Sequence, residues 1–322
     1  MVTGAGGFIG SHLVEALLKL EQRVRGLDNL STGHEKNLEP ALQSKRFEFV
    51  RGDIRDVETC RGACAGVDYV LHHAALGSVP ASLEDPLGTH AINVTGFANV
   101  LNAAREQRVK RVIYASSSAV YGDEPTLPKV ESKIGNALSP YALSKHANEL
   151  YAVNFRQCFG LESIGLRYFN VFGARQDPRG PYAAVIPKWI ETMIDGEPVF
   201  INGDGETTRD FCHVSDVVQA NVLAATVGKA EAIGQVYNIA FGQGTTLNDL
   251  FRVVCDELRS QLPHLKQLAP QYRDFRPGDI RHSQADITRA KTLLDYAPEV
   301  SLKEGLATAM PWYIESSKKT KR

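Results

Sequence analysis

The sequence has no long hydrophobic run and no excess of charge of one sign, and both absences exclude classes of protein. No apolar stretch among the 322 residues is long enough to cross a bilayer, so no membrane-spanning segment is expected. With 36 Lys and Arg against 37 Asp and Glu, the chain lacks the basic excess typical of nucleic-acid-binding proteins. Because no signal peptide is recognised before the first motif, we expect a cytoplasmic protein.

Cysteine is scarce, and its five positions show no spacing typical of a metal site. An odd number of cysteines without an export signal indicates reduced thiols rather than a disulfide framework. Cys60 and Cys64 are four residues apart, and we expect both to pack on one face of a helix. No metal site is predicted.

A glycine-rich run stands near the first residue, with Gly4, Gly7 and Gly10 at intervals of three. Gly4 allows a tight turn, Gly7 lets a pyrophosphate approach the backbone, and Gly10 lets the following helix lie close to the sheet. The helix would offer free N–H groups to phosphates, and Asp28 ends the next strand where an acid binds an adenosine ribose. The run therefore predicts a dinucleotide site, which we favour over a purely structural glycine turn.

Only Met1 and Val2 precede the Thr3-Gly4 pair, whereas a strand usually has about five or six residues. We expect either a start assigned too late or a very short first strand. In a doubly wound sheet that strand is central, so a shortened one is expected to weaken the fold or its hold on a cofactor.

Strand and helix patterns alternate through the first half, with strands predicted near 47–50, 67–72 and 109–115 and a long helix over 86–108. This alternation predicts an α/β fold of the Rossmann type, a doubly wound parallel sheet with right-handed crossovers. The second half has more Pro and Gly and shorter helices, which indicates a smaller C-terminal substrate-binding lobe. We predict a dinucleotide-binding domain over 1–170, continued by about 211–241, and a lobe formed by 171–210 and 242–322.

A candidate catalytic group follows the predicted strand that ends near Ser117. Ser139 is a plausible N-cap and Pro140 a plausible first helical residue, which places Tyr141 and Lys145 one turn apart on one helix face. Free tyrosine titrates near pH 10, and we expect a lysine cation and an oxidised nicotinamide to lower the pKa of Tyr141 so that it serves as a base. The serine hydroxyl can bind the reacting oxygen and share its proton. The alternative is that the tyrosine only packs, the lysine is solvated and the serines cap a strand.

Together these motifs resemble those of the extended short-chain dehydrogenases/reductases, and among them the bacterial UDP-N-acetylglucosamine 4-epimerases of surface-polysaccharide synthesis. The resemblance covers essentially the whole chain. It rests on residues 4–10, 27–29, 52–54, 74–80, 116–122, 141 with 145, 166–173, 182–189, 203–211 and 276–283.

The resemblance implies a homodimeric NAD enzyme that epimerises a UDP-sugar at C4 through a 4-keto intermediate, with no net redox change. Tyr141 would be the base and Lys145 its partner, while Arg209 and Arg276 would hold the diphosphate. The implied catalytic residues are Ser117, Ser118, Tyr141 and Lys145. The implied cofactor-binding residues are Gly4, Gly7, Phe8, Ile9, Gly10, Asp28, Asn29, Asp53, Ile54, Ala74, Ala75, Asn93, Tyr141, Lys145 and Tyr168. The implied substrate-binding residues are Ser78, Ser117, Ser118, Asn170, Val185, Arg209, Arg276, Asp279 and Ser283.

Ser283 aligns with the family position at which a bulky aromatic residue excludes 2-acetamido sugars. Its small side chain implies interconversion of UDP-GlcNAc and UDP-GalNAc, with UDP-glucose and UDP-galactose or a uronic UDP-sugar as alternatives. Ser283 could also be a surface serine, and Arg209 could pair with Asp210 or Asp216 instead of a phosphate. A dimer is expected to use the helices near 87–108 and 141–158.

Other activities are open. A 4,6-dehydratase shares the first step but needs an added acid and base, and Ser118 and Ala119 stand where that family has an Asp-Glu pair. A 4-reductase, a decarboxylating relative and a non-catalytic NAD(H)-binding regulatory protein are further alternatives.

Overall fold

The computed structural model describes residues 1–179, 183–262, 265, 269–275 and 280–320. The strands are β1 (Val2–Thr3), β2 (Val24–Asp28), β3 (Phe47–Arg51), β4 (Tyr69–His72), β5 (Arg111–Ser117), β6 (Glu162–Tyr168), β7 (Val171–Phe172), β8 (Phe200–Asn202), β9 (Thr208–Arg209), β10 (Cys212–His213), β11 (Val236–Ile239), β12 (Thr245–Thr246) and β13 (Gln271–Arg273). The helices are α1 (Phe8–Lys19), α2 (Glu39–Leu42), α3 (Val57–Cys64), α4 (Val79–Glu84), α5 (Pro86–His90), α6 (Gly96–Glu106), α7 (Pro140–Phe159), α8 (Val185–Ile194), α9 (Val214–Thr226), α10 (Leu247–Gln261), α11 (Thr288–Leu294) and α12 (Leu302–Thr320).

Seven strands form one sheet in the order β11-β6-β5-β4-β1-β2-β3, and every pair in it is parallel. The chain winds outward from β1 to β3, returns to β4 and winds outward again to β11. This topology confirms the predicted Rossmann-type doubly wound sheet. The order reverses between β1 and β4, and ligands of open α/β sheets bind outside the carboxyl ends of the strands at such a point.

The central strand β1 is as short as the sequence indicates. Its two residues, Val2 and Thr3, are fully buried and pair with β2 on one side and β4 on the other. The side chain of Thr3 adds to the ladder, because its Oγ1 accepts hydrogen bonds at 3.1 Å from the backbone N–H groups of His73 and Ala74. The strand thereby also fixes the start of the loop that follows β4.

Helices cover both faces of the sheet. On one face α1, α9 and α11 pack over apolar side chains such as Leu13, Ile113 and Val217. On the other face, α3, α6 and α7 pack over a second apolar group that includes Val112. Val112 and Ile113 are neighbours in β5, but their side chains point to opposite faces because side chains alternate along a strand. Cys60 and Cys64 are fully buried in this second group, which confirms their predicted packing role.

The long helix predicted over 86–108 is helical from Pro86 to Glu106, but it is not uniform. A π turn at Ala91–Thr95 separates α5 from α6. Hydrophobic periodicity did not indicate this turn, which is wider than an α-helical turn.

The second half adds a separate apolar cluster made by α8, α10 and α12, in which Trp189 packs edge-to-face on Phe251. The predicted boundaries between the two lobes stay a prediction. Within the described ranges, no helix is long and apolar enough to cross a membrane.

Candidate active site

The glycine-rich turn joins β1 to α1, and at two of its glycines a side chain would be strained or would clash with the backbone. Gly4 has φ +67°, in the left-handed region that favours glycine, and a Cβ on Gly10 would lie 1.9 Å from the Gly4 carbonyl oxygen. The N-cap residue, Gly7, supplies no side-chain cap, and the first turn of α1 holds no acidic residue. The N–H groups and the positive end of the helix dipole are therefore directed at a ligand, as a diphosphate requires.

A groove of about 630 Å³ runs from this turn along the carboxyl ends of the strands. Most predicted site residues line it, namely Gly4, Gly7, Phe8, Ile9, Gly10, Asp28, Asn29, Asp53, Ile54, Ala74, Ala75, Ser117, Ser118, Tyr141, Lys145, Tyr168 and Asn170. Ser78, Asn93, Val185, Arg209 and Ser283 are described but do not line it. Arg276 and Asp279 lie outside the described residues.

Asp28 is fixed by the backbone at the end of β2. Its two carboxylate oxygens accept hydrogen bonds from the N–H groups of Gly6 at 2.8 Å and Leu30 at 2.7 Å. The next acid along the groove, Asp53, is held by the guanidinium of Arg55, which is the main reason that the pKa of Asp53 lies well below its usual range. Both acids line the groove, in the region where the ribose and adenine are predicted to bind.

The predicted catalytic side chains converge at the other end of the groove. Ser139 caps α7, accepting a hydrogen bond from the backbone N–H of Ala142 at 3.1 Å, and Pro140 is the first helical residue, as predicted. The phenol of Tyr141 hydrogen-bonds to the Ser117 hydroxyl. One turn later, Nζ of Lys145 donates to the carbonyl oxygen of Ala115 at 3.0 Å.

The electrostatics of this group differ from the prediction. Burial raises the pKa of Tyr141, and the hydrogen bond from Ser117 lowers it only in part. Burial also lowers the pKa of Lys145 to about 8. Burial and Ser117 are the causes of the shift in the pKa of Tyr141, and the lysine that was expected to lower it is not among them.

Ser117 both caps a short turn and faces the predicted base. At the end of β5 its Oγ accepts a hydrogen bond from the Ala119 N–H at 3.1 Å and thereby caps the 3₁₀ turn Ser118–Tyr121. The same hydroxyl faces Tyr141. The cap fixes the serine rotamer, which keeps the hydroxyl available to a reacting oxygen.

A buried ion pair lies behind the catalytic residues. Nε and Nη2 of Arg167, which is 1% exposed, donate to the two carboxylate oxygens of Glu149 at 2.9 and 2.7 Å. Oγ of Ser116 donates to the same carboxylate at 2.5 Å. This pair therefore joins α7 to the ends of β5 and β6. The sequence analysis missed it, although Glu149 follows Lys145 by four residues and repeats the helical spacing.

Tyr168 belongs to a second buried chain of hydrogen bonds. Its hydroxyl accepts from the side-chain amide of Asn221 and donates to Nε2 of His73, both at 2.8 Å. Burial lowers the pKa of His73 to about 3, so this imidazole is neutral and can accept the proton. The ring of Tyr168 stacks on that of His73 and forms part of the groove wall.

Three predicted ligand residues that do not line the groove take part in local structure. Asn93, in the π turn, bonds to the backbone N–H and carbonyl of Leu76 and to the hydroxyl of Ser144. Ser78 caps α4, and Val185 is the first residue of α8. In this structure, Asn93 and Ser78 shape the loop beside the groove.

Arg209 and Ser283 lie side by side in the second half. Nη1 of Arg209 donates to the Thr208 carbonyl at 2.8 Å, and the backbone N–H of Ser283 donates to the same carbonyl at 3.2 Å. The suggested partner Asp210 instead accepts backbone N–H groups, including that of Ala285, and burial raises its pKa to about 6. Asp216 likewise accepts backbone N–H groups.

Further groove residues were missed because they come from irregular loops. They are Ser31, Thr32, Gly33, His34, Asn37, Arg175, Gln176 and Asp177. Loops that follow strands carry no periodicity, so only their position after β2 and β7 could have indicated them.

Comparison with known proteins gives one consistent result. Residues 1–240 match the sequence model of the NAD dependent epimerase/dehydratase family. The UDP-glucose 4-epimerase of Mycolicibacterium smegmatis is 38% identical over 323 residues, which cover 98% of this chain and 99% of that protein.

Solved structures agree with this match. The UDP-N-acetylglucosamine 4-epimerase of Methanobrevibacter ruminantium, in complex with UDP-N-acetylmuramic acid, has a TM-score of 0.91 and 39% identity and covers 98% of this chain and 97% of its own. The UDP-glucose 4-epimerase of Thermus thermophilus, in complex with NAD, has a TM-score of 0.84 and 33% identity, covering 97% of this chain and 98% of its own.

Proposed function

Because this chain belongs to the NAD-dependent epimerase/dehydratase family, we propose that it is a 4-epimerase that interconverts UDP-GlcNAc and UDP-GalNAc. The observation that carries the proposal is the convergence of Ser117, Tyr141 and Lys145 at one end of the groove, with the glycine-rich turn at the other. This pairing places acid-base groups and a dinucleotide site in one continuous cavity.

The residues present fit NAD. The crowded glycine turn, the uncapped start of α1 and the anchored carboxylate of Asp28 suit a diphosphate and a ribose hydroxyl pair. When bound, NAD takes a hydride from C4 of the sugar and returns it, and its oxidised ring supplies a positive charge. Tyr141, Lys145 and Tyr168 would surround that ring.

The protein groups move the proton. In the first half-reaction, the Tyr141 phenolate takes the proton from the sugar O4 as C4 loses its hydride, which leaves a 4-ketose. Ser117 donates a hydrogen bond to the same oxygen, and the Lys145 cation stabilises the phenolate. In the second half-reaction Tyr141 returns the proton to O4 as hydride is delivered to the opposite face of C4.

The choice of UDP-GlcNAc depends on Ser283. This small residue lies beside Arg209, which we propose as a cation for the UDP diphosphate with Arg276, and Asp279 would bind the uridine ribose. UDP-glucose is the competing substrate, because several relatives carry that name. A 4,6-dehydratase is disfavoured because Ser118 and Ala119, which follow Ser117, carry no carboxylate.

We also propose that the protein is a homodimer. Apolar side chains are exposed along α4, α5 and α7, and these helices pack against each other. They are Val79, Leu83, Leu87, Leu143, Leu150 and Val153. Exposed apolar side chains on neighbouring helices are typical of an interaction surface, and a second copy would cover them by pairing the same helices about a two-fold axis. Participation in surface-polysaccharide synthesis follows only from the earlier resemblance.

The test is to incubate purified protein with UDP-GlcNAc and no added cofactor, and to identify the sugar products by NMR. Formation of UDP-GalNAc supports the proposal, whereas a 4-keto-6-deoxy product would replace it with a dehydratase. Turnover of UDP-glucose but not of UDP-GlcNAc would show that UDP-glucose is the substrate.

The role of Ser283 is tested by Ser283→Tyr, with Ser260→Tyr at an exposed position of α10 as the control. We expect kcat/KM for UDP-GlcNAc to fall about tenfold or more while that for UDP-glucose changes little, because only the acetamido group needs the space. Equal losses for both substrates would contradict the gating role.

A further inference from the structure

A short segment of the second half lines the groove and contacts α1 and the loop after β2. Residues 174–177, which we call the strap, make three contacts there. His12 Nε2 donates to the carbonyl oxygen of residue 174 at 2.9 Å, Arg175 Nη2 binds Glu15 Oε2 at 2.6 Å, and His34 Nε2 meets Asp177 Oδ2 at 3.2 Å. Because the three contacts are spread along the strap, the segment spans the groove wall rather than touching it at one point.

Arg175 is held in an unusual conformation. It has φ +69°, a left-handed backbone that disfavours residues with a Cβ, and its side chain is only 17% exposed. Arg175 lines the groove together with Gly7 and Phe8. Its Nη1 is buried and has no hydrogen-bond partner within the part of the chain that the structure describes.

The charges around Arg175 leave room for an anion. The carboxylate of Glu15 pairs with Arg175 and also with Lys19, whose Nζ lies 2.9 Å from Oε1. Two positive charges therefore share one negative charge. A buried guanidinium N–H without an acceptor is costly, and a guanidinium can bind a carboxylate with one nitrogen and a phosphate oxygen with another. The anion-binding start of α1 lies in the same groove.

We propose that Nη1 of Arg175 binds the diphosphate of NAD and that the strap retains the bound dinucleotide. The inference rests on the NAD dependence of the proposed function. The strap and the glycine turn line the same groove, so both would contact a bound diphosphate. The dinucleotide is then enclosed by both halves of the chain, and its release requires the Arg175–phosphate bond to break and the strap to lift.

The experiment uses the purified protein with its bound nucleotide. The rate of NAD release after dilution is followed by chromatography of the filtrate for wild type, Arg175→Gln, Arg175→Lys and Arg179→Gln. Arg179 is the matched control, since it lies four residues further on and pairs with Glu191 rather than with α1. The unfolding midpoint of each nucleotide-free protein reports whether the fold is intact.

We expect Arg175→Gln to release NAD about 10- to 100-fold faster, as the loss of a charge-assisted hydrogen bond predicts, and the control to behave as wild type. Arg175→Lys keeps the positive charge but loses the planar guanidinium that can bind two oxygens, so it should release NAD at an intermediate rate. This variant replaces Arg175→Gln as the test if the glutamine variant does not fold. With saturating NAD added, epimerisation by Arg175→Gln should recover.

Two results would overturn the proposal. One is an unchanged release rate in folded Arg175 variants, or a change that Arg179→Gln reproduces. The other is unchanged NAD release with a raised KM for the UDP-sugar, which would assign Arg175 to the substrate's diphosphate. Neither result bears on whether the chain is a 4-epimerase, because turnover is measured separately.

Discussion

At the residue scale, the phenol of Tyr141 is enclosed, and its pKa is raised by burial while a single hydroxyl, that of Ser117, opposes the shift. Burial at the same time brings the pKa of Lys145 down to about 8. Both shifts disfavour the charged forms that catalysis needs. A positive charge beside the phenol, such as oxidised NAD would bring, would favour the phenolate of Tyr141 but would not favour the cation of Lys145.

Tyr141→Phe tests the base. We expect kcat to fall about 100- to 10,000-fold because the proton acceptor is lost, with NAD content and the urea unfolding curve unchanged. Tyr151→Phe, on the exposed side of the same helix, is the control and should keep full activity. The measurement is NMR of UDP-GlcNAc turnover, and a phenylalanine variant with more than a tenth of wild-type kcat would rule out this role.

Lys145 should titrate near pH 8 in a carbon NMR titration of ¹³Cε-labelled lysines of the nucleotide-free protein. Exposed Lys110, whose pKa is raised by its bond to Asp68, is the internal reference, and Lys145→Met identifies the resonance. An unfolded lysine keeps its proton to about pH 10.4. Between these values the unfolded chain binds more protons, so this group's contribution to the free energy of unfolding rises with pH. A resonance titrating above pH 10 would contradict the shift.

At the element scale, α7 carries the proposed catalytic residues and their support on one face. Tyr141, Lys145 and Glu149 follow one another at intervals of four residues, and the last of them binds Arg167 at the end of β6. The bond from Ser116 brings in β5 as well. Three elements that each end at the groove are thus fixed relative to one another by one buried carboxylate.

Glu149→Gln tests how much that carboxylate contributes to the stability of the fold. It leaves the Arg167 cation buried without its counter-charge, and we expect the free energy of unfolding to fall by about 3–5 kcal/mol in urea denaturation. Glu48→Gln, which breaks an exposed pair with Arg25, should cost less than about 1 kcal/mol. If Glu149→Gln combined with Arg167→Met is no more stable than Glu149→Gln alone, the buried-charge explanation is wrong.

The elements that the sequence predicted well are those with periodic apolar residues. Strand-helix alternation, the Ser139 cap and the glycine turn depend on local residue types, and the structure has them where expected. The π turn, the strap and the Glu149–Arg167 pair depend on partners distant in the sequence. Asn93 is a further example, because its amide holds the backbone of Leu76, a contact that no local pattern indicates, while its predicted place beside the cofactor stays a prediction.

At the scale of the whole molecule, the exposed face of α4, α5 and α7 predicts the assembly. Leu87→Lys combined with Leu150→Lys should convert a dimer to a monomer in size-exclusion chromatography with light scattering, because it places charges in the apolar contact. Leu20→Lys, just after α1, changes an exposed leucine outside this face and is a control that should stay dimeric. An unchanged mass for the double variant would show that the dimer does not form through this face.

The order of strands in the sheet also bears on synthesis. The edge of β6 is covered by β11, which the ribosome delivers about seventy residues later, after the excursion through α8 and α9. At cellular elongation rates this gap lasts roughly 4 to 14 seconds. For that time a nascent chain presents a seven-residue strand with an unpaired side, a target for chaperones or for neighbouring nascent chains.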